Sequence, residues 1–149
     1  MTARIELVEK DEPRVRSFLE EKMSPLSRVI LFGGDRWLPV EIVALAFLNG
    51  ELVGMGSLAP TNELRAGGPH IIGVWVKPDA RHFGVGVDIL AALAEESQLR
   101  YSTAPRVVAT TKAGCALCRK ALIQGIRLEF QDIPPPAGVI PEGEEFELP

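Results

Sequence analysis

The chain has 149 residues, 46% of them hydrophobic and 24% charged. That is enough apolar material for one domain with a real core, and too much for a disordered chain. The formal net charge of −4 argues against a nucleic-acid binder, which normally presents a basic face. No run of eighteen apolar residues occurs, and Met1 to Glu12 lack the apolar block of a signal peptide. A protein without membrane spans and a cytoplasmic location are therefore the expectations.

In chain order, Arg4 to Glu9 alternates polar and apolar and predicts a first strand. Asp11 is expected to cap a helix with Pro13 in its first turn and Val15, Phe18, Leu19 and Met23 as its stripe. Ser24-Pro25 ends that helix, and Leu26 to Phe32 reads as a short second one stopped at Gly33-Gly34-Asp35. Two strands near Glu41–Leu48 and Glu51–Leu58 flank Asn49-Gly50, the strongest short hairpin signal. Gly54 and Gly56 in the second of them mark a bulge or close packing.

Ala59 to Pro69 is a loop. His70 to Val76 is apolar on both faces and reads as a central strand. Arg106 to Thr111 is the next strand, Gly114 to Gln124 a helix with Gly125 as its C′ stop, and Arg127 to Phe130 a further strand. Pro134-Pro135-Pro136 forbids regular pairing, and Glu145 to Leu148 alternates as a last strand. No repeat or linker divides the chain, so residues 1–149 are read as a single mixed α/β domain.

Cys115 and Cys118 have Cys-x-x-Cys spacing. Zinc would need two more ligands, and beyond carboxylates the chain offers His70 and His82. A redox pair is the other functional reading, and two small apolar residues on a helix face the plain one. No metal is expected.

The stretch around which the chain is organised is Val74-Trp75-Val76-Lys77-Pro78-Asp79-Ala80-Arg81-His82-Phe83-Gly84-Val85-Gly86-Val87. An apolar strand turns at Pro78-Asp79 and a glycine pair opens a helix reaching about Arg100, with Val87, Leu90, Leu93 and Ala94 at helical spacing. Free backbone N–H groups at a helix N-terminus favour an anion, phosphate above all. Gly84 and Gly86 have no side chain to keep a phosphate off the backbone.

Arg81-x-x-Gly84-x-Gly86 after strand-Lys-Pro-Asp resembles the acetyl-CoA pyrophosphate loop of the GNAT N-acetyltransferase superfamily. The resemblance runs from Val43 to Phe130, strongest at Val74–Val87, with Gly125-Ile126 where family members usually have Gly-Phe. It implies a GNAT-like mixed sheet of six to seven strands with a splayed central pair, and about four helices. Pantetheine would bond to the main chain of Val74, Trp75 and Val76 like a short extra strand. The pyrophosphate would lie on the N–H groups of Phe83 to Val87. Arg81 would add charge to a phosphate or tie down the loop, and His82 and Phe83 would contribute backbone. Acetyl-CoA is thus the implied co-substrate, a small-molecule or protein amine the acceptor, and a homodimer the common assembly.

The implied chemistry is direct attack of a neutral amine on the thioester, with a backbone N–H of the splayed strand polarising the carbonyl oxygen. The chain departs from the family where proton transfer is concerned. Many members carry a Glu at the position of Ile72, and a Tyr at the position of Ala121. His70 is the titratable group nearest the first position, and an imidazole suits a base. Facing solvent at the strand's start is its plain alternative. Cys118, one turn from Ala121, is the weaker substitute for the acid. Glu41 and Glu63 are further carboxylates with nothing to place them in a cleft. Acceptor binding falls to Met23–Trp37, with Asp35 and Trp37 as a cation pocket or Trp37 packed against the hairpin, and to Asn62–Pro69. The missing Glu and Tyr keep a second class open: a non-catalytic acyl-CoA-binding or interaction module.

Overall fold

The computed structural model describes residues 2–22, 40–60, 68–109 and 112–132. Six strands form one mixed sheet in chain order. They are β1 (Arg4–Glu9), β2 (Ile42–Leu48), β3 (Glu51–Ala59), β4 (His70–Val76), β5 (Arg106–Ala109) and β6 (Glu129–Asp132). The first four are antiparallel neighbours. The pairs β4–β5 and β5–β6 are parallel. Among the described residues three α-helices accompany them: α1 (Pro13–Lys22), α2 (Val85–Tyr101) and α3 (Lys112–Ile123). The crossovers through α2 and α3 make the last pairings parallel, because a hairpin cannot reverse the chain twice.

Most of the expected elements fall at or within two residues of their expected bounds. Asn49 (φ 50°) and Gly50 (φ 79°) are both left-handed, the two-residue turn that matches strand twist. At the end of α3, Gly125 (φ 85°) sends its N–H to Leu122 O at 3.0 Å and Ile126 sends its own to Ala121 O at 3.1 Å. That bond pair is a Schellman stop, which gives partners to the carbonyls of Ala121 and Leu122.

Two expectations are corrected. The residue capping α1 is Glu12, not Asp11: its carboxylate accepts the Arg14 N–H at 2.6 Å. The last described strand starts at Glu129, where its N–H reaches Pro105 O, two residues later than the expected start at Arg127. The start is set by the partner strand, because pairing with β5 begins at Arg106 opposite Glu129. The described helices number three, and they match three of the four that were expected. The expected helix Leu26–Phe32, the strand Glu145–Leu148, and Asp35, Trp37, Glu63, Thr110 and Thr111 lie outside the described residues.

The sheet divides two apolar layers. On one side α2 and α3 pack Ile89, Leu90, Leu93 and Leu117 against Ala44, Leu58, Ile71, Val74 and Val76. On the other, α1 packs Val15, Phe18 and Leu19 against Val43, Leu45, Met55 and Trp75. Phe18 meets the Trp75 ring edge-on, with centroids 5.5 Å apart. The glycines of β3 are packing glycines. A Cβ on Gly56 would stand 2.5 Å from Ile89 Cγ2 and one on Gly54 3.2 Å from Ile89 Cδ1, so α2 lies directly on the β3 backbone. No helix among the described residues is long and apolar enough to cross a membrane.

Candidate functional site

The site begins with a fault in β4. Ser57 pairs with Gly73 and Leu58 with Ile71, which leaves Ile72 as an extra residue. A bulge advances the side-chain alternation by one. Ile71 and Val74 therefore both face α2 and α3, while Ile72 and Trp75 both face α1. The ladder to β5 stops at the same place. It has the rungs His70–Arg106 and Ile71–Val107, while β5 stays paired to β6 as far as Ala109. Five residues of β4, Ile72 to Val76, run on past the last rung. The strands diverge there.

The open edge of β4 carries main-chain polar groups. Lys77 N–H donates to Val53 O at 2.8 Å, so by alternation Trp75 faces β3 and Val74 and Val76 face the gap. Arg81 takes up one of these groups: its Nε–H donates to Val76 O at 2.9 Å. This contact binds the following loop to the strand end, one of the two roles expected of Arg81.

Between strand and helix, Pro78–Ala80 makes a single 3₁₀ turn. Lys77 pairs with Glu51 and, at 3.7 Å, with Asp79. His82 (φ 72°) and Gly84 (φ 79°) are left-handed, and Phe83 between them is not. Alternating hands make successive N–H groups converge. Gly84 is the N-cap of α2 with no side chain capping it. The first intrahelical bond is Asp88 N–H to Gly84 O at 3.0 Å. Hence the N–H groups of Val85, Gly86 and Val87 have no acceptor within the helix, at its positive end. In the same first turn, Asp88 accepts the Ala3 N–H on its carboxylate at 3.2 Å. A Cβ placed on Gly84 would meet nothing within 4 Å, so the space beside it is open.

A cleft of about 310 Å³ lies at this junction. Of the expected cofactor residues, Val76, Arg81, His82, Gly84, Val85, Gly86 and Val87 line it. Phe83 is 53% exposed and outside the lining. Val74 and Trp75 are buried in the strand. Sequence reasoning missed the opposite wall, Ala113, Ala116, Leu117 and Lys120 of α3. Their spacing of three and four residues puts them on one helix face, and the two alanines leave room. That small-residue face ending in a lysine was the available signal. Arg81 and Lys120 give the cleft its positive charge.

The expected proton-transfer residues are not brought together. Cys118 lies fully buried in the core and outside the cleft lining. Burial pushes its thiol up to about 12, with Cys115 nearby adding to the rise. Its burial outside the lining leaves Cys118 out of contact with the cleft. Cys115 is buried too, 3.9 Å from Ala109 O. Glu41 is tied to Tyr101 Oη at 3.1 Å and Arg100 at 3.7 Å, away from the cleft.

His70 is 3% exposed, which corrects the alternative of a solvent-facing side chain. It starts β4, six residues and about 20 Å along the strand from Val76. Its Nδ1 lies 2.8 Å from Gly68 O. A carbonyl oxygen only accepts, so Nδ1 is the donor of this pair, and in the neutral ring the lone pair is on Nε2. That nitrogen is buried without a hydrogen-bond partner among the described residues.

A mixed sheet opened at a bulge, with the freed strand leading through a glycine turn into an uncapped helix start, defines an α/β domain with a cleft at that junction. A family model described as the acetyltransferase (GNAT) family matches residues 6–120, and the chain belongs to that family. No curated protein and no solved structure matches the chain.

Proposed function

We propose that this chain binds acetyl-CoA and transfers the acetyl group to an amine by direct attack between β4 and β5. The observation that carries the reading is the free edge of β4, continuous through Arg81 with the bare N–H groups of Val85, Gly86 and Val87. Diphosphate fits those donors, with Lys120 and Arg81 supplying countercharge from two sides. The two amides of pantetheine fit the outward groups of Val74 and Val76. Its thiol end then comes to the bulge at Ile72, where the sheet closes. Family membership supports acetyl transfer in general. The test is a thermal-shift titration with acetyl-CoA and coenzyme A, followed by thiol release over an amine panel. No stabilisation by either nucleotide would reject the reading.

The second reading is an acyl-CoA-binding module without turnover. It is favoured by fully buried Ala121 at the place of the family's usual tyrosine, and by the burial of Cys118. Steady thiol release with any amine rejects it.

A further inference from the structure

Among the described residues, two buried side-chain polar atoms have no hydrogen-bond partner: Ser57 Oγ and His70 Nε2. Ser57 is fully buried and His70 nearly so. Such atoms are uncommon in a native core, because each has lost its water and gained nothing in exchange. Two of them in unrelated places would carry little meaning. The register puts these two side by side.

On β3, Gly56 and Leu58 face α2, so Ser57 and Ala59 face α1. Ala59 pairs with His70 and Ser57 with Gly73. His70 therefore shares a face with Ser57 and is its diagonal neighbour, at a separation that diagonal pairs span with about 7–8 Å. Gly73, opposite Ser57, has no side chain to fill the space between. Ile72, the extra residue of the bulge, is on the same face and only half-buried. The last β4–β5 rung ends beside it. Both orphan atoms thus flank the point where the sheet opens and where the thioester end of the arm is placed in the proposed function, on which this inference rests.

We propose that Ser57 and His70 form the proton-accepting end of the acetyl-transfer site. Ser57 Oγ and His70 Nε2 together hold the acceptor's amine nitrogen. The Nδ1–H bond to Gly68 O holds the imidazole in the tautomer whose Nε2 accepts a proton. As the nitrogen attacks, the C–N bond forms and the C–S bond breaks, with the electron pair leaving on sulfur. The amine proton passes to Nε2. The thiolate takes a proton from solvent, and the imidazolium returns its own to solvent on product release. The serine hydroxyl orients the amine and is left unpaired when the acceptor is gone. This assigns the base to the first residue of β4, a strand that carries no carboxylate, and its positioning partner to Ser57 of β3.

The test compares the full chain with Ser57→Ala and His70→Asn. An asparagine at position 70 keeps an N–H donor for Gly68 O and deletes the reacting nitrogen. Acetyl-CoA affinity is read by thermal shift and turnover by thiol release with the amine panel. The expected result is unchanged acetyl-CoA affinity in both variants, kcat down at least tenfold in Ser57→Ala and at least a hundredfold in His70→Asn. Ser57→Ala is also expected to melt no lower than the parent, since it removes a hydroxyl that bonds nothing in the free protein. Unchanged kcat in folded variants overturns the inference while acetyl-CoA binding keeps the cofactor reading intact. A parent that binds acetyl-CoA but acetylates no amine overturns it as well. A parent that fails to bind acetyl-CoA removes the cofactor reading, and the inference falls with it.

Discussion

Gly86 occupies the second position of α2, buried, with its N–H among the three that the helix leaves without an acceptor. Only a residue without a side chain lets diphosphate approach that nitrogen closely. A carboxylate there adds bulk and a like charge. Gly86→Asp is therefore expected to abolish acetyl-CoA binding in a folded protein, read as loss of ligand-induced stabilisation. An unchanged affinity would place the nucleotide elsewhere. The charge argument at Arg81 is different in kind. Its guanidinium is spent partly on Val76 O, so it sets the position of the loop as well as the charge of the cleft.

At the scale of elements, the contact between α2 and β3 positions the site. Ile89 and Leu93 rest on the bare backbone of Gly54 and Gly56, which brings the α2 N-terminus down beside the open end of β4. Gly56→Ala forces a methyl against Ile89 Cγ2, on a stiff branched side chain with no free end to swing aside. It is expected to cost about 1–3 kcal/mol, the usual penalty of overpacking, measured by denaturant unfolding. Gly50→Ala is the control: a Cβ there meets nothing within 4 Å, so its cost is confined to the left-handed backbone.

At the scale of the molecule, two equilibria test the picture. A ligand that binds only the folded state stabilises it by about 2.7 kcal/mol at a hundred times its dissociation constant. Acetyl-CoA is expected to raise the melting temperature in proportion to the logarithm of its concentration. The second equilibrium is alkaline. Folding raises the Cys118 thiol from its ordinary value to about 12 because burial disfavours the thiolate. The folded state thus holds a proton that the unfolded state has lost above about 8.5. Stability from this group is complete below that pH and declines as pH rises toward about 12. Cys118→Ala is expected to flatten that decline; an identical slope in the variant would assign the alkaline sensitivity to other groups.

The local patterns in the chain determined most of the fold. Asn49-Gly50, the alternation of β1, the helical stripes and the stop at Gly125 are short-range instructions, each set by the steric and hydrogen-bonding needs of neighbouring residues. The glycine loop before α2 was legible for the same reason, since an uncapped helix start is a local feature. What the tertiary structure alone decided depends on register between distant strands. The bulge at Ile72 reverses which residues of β4 face α1, and no period in an all-apolar strand announces it. The second wall of the cleft came from α3, a helix whose small face looked like ordinary packing. Cys118 looked available and proved buried, while Ser57 went unremarked until its pairing opposite Gly73 set it beside His70. Adjacency of that kind is a property of how strands are laid together, which the order of residues along one strand does not contain.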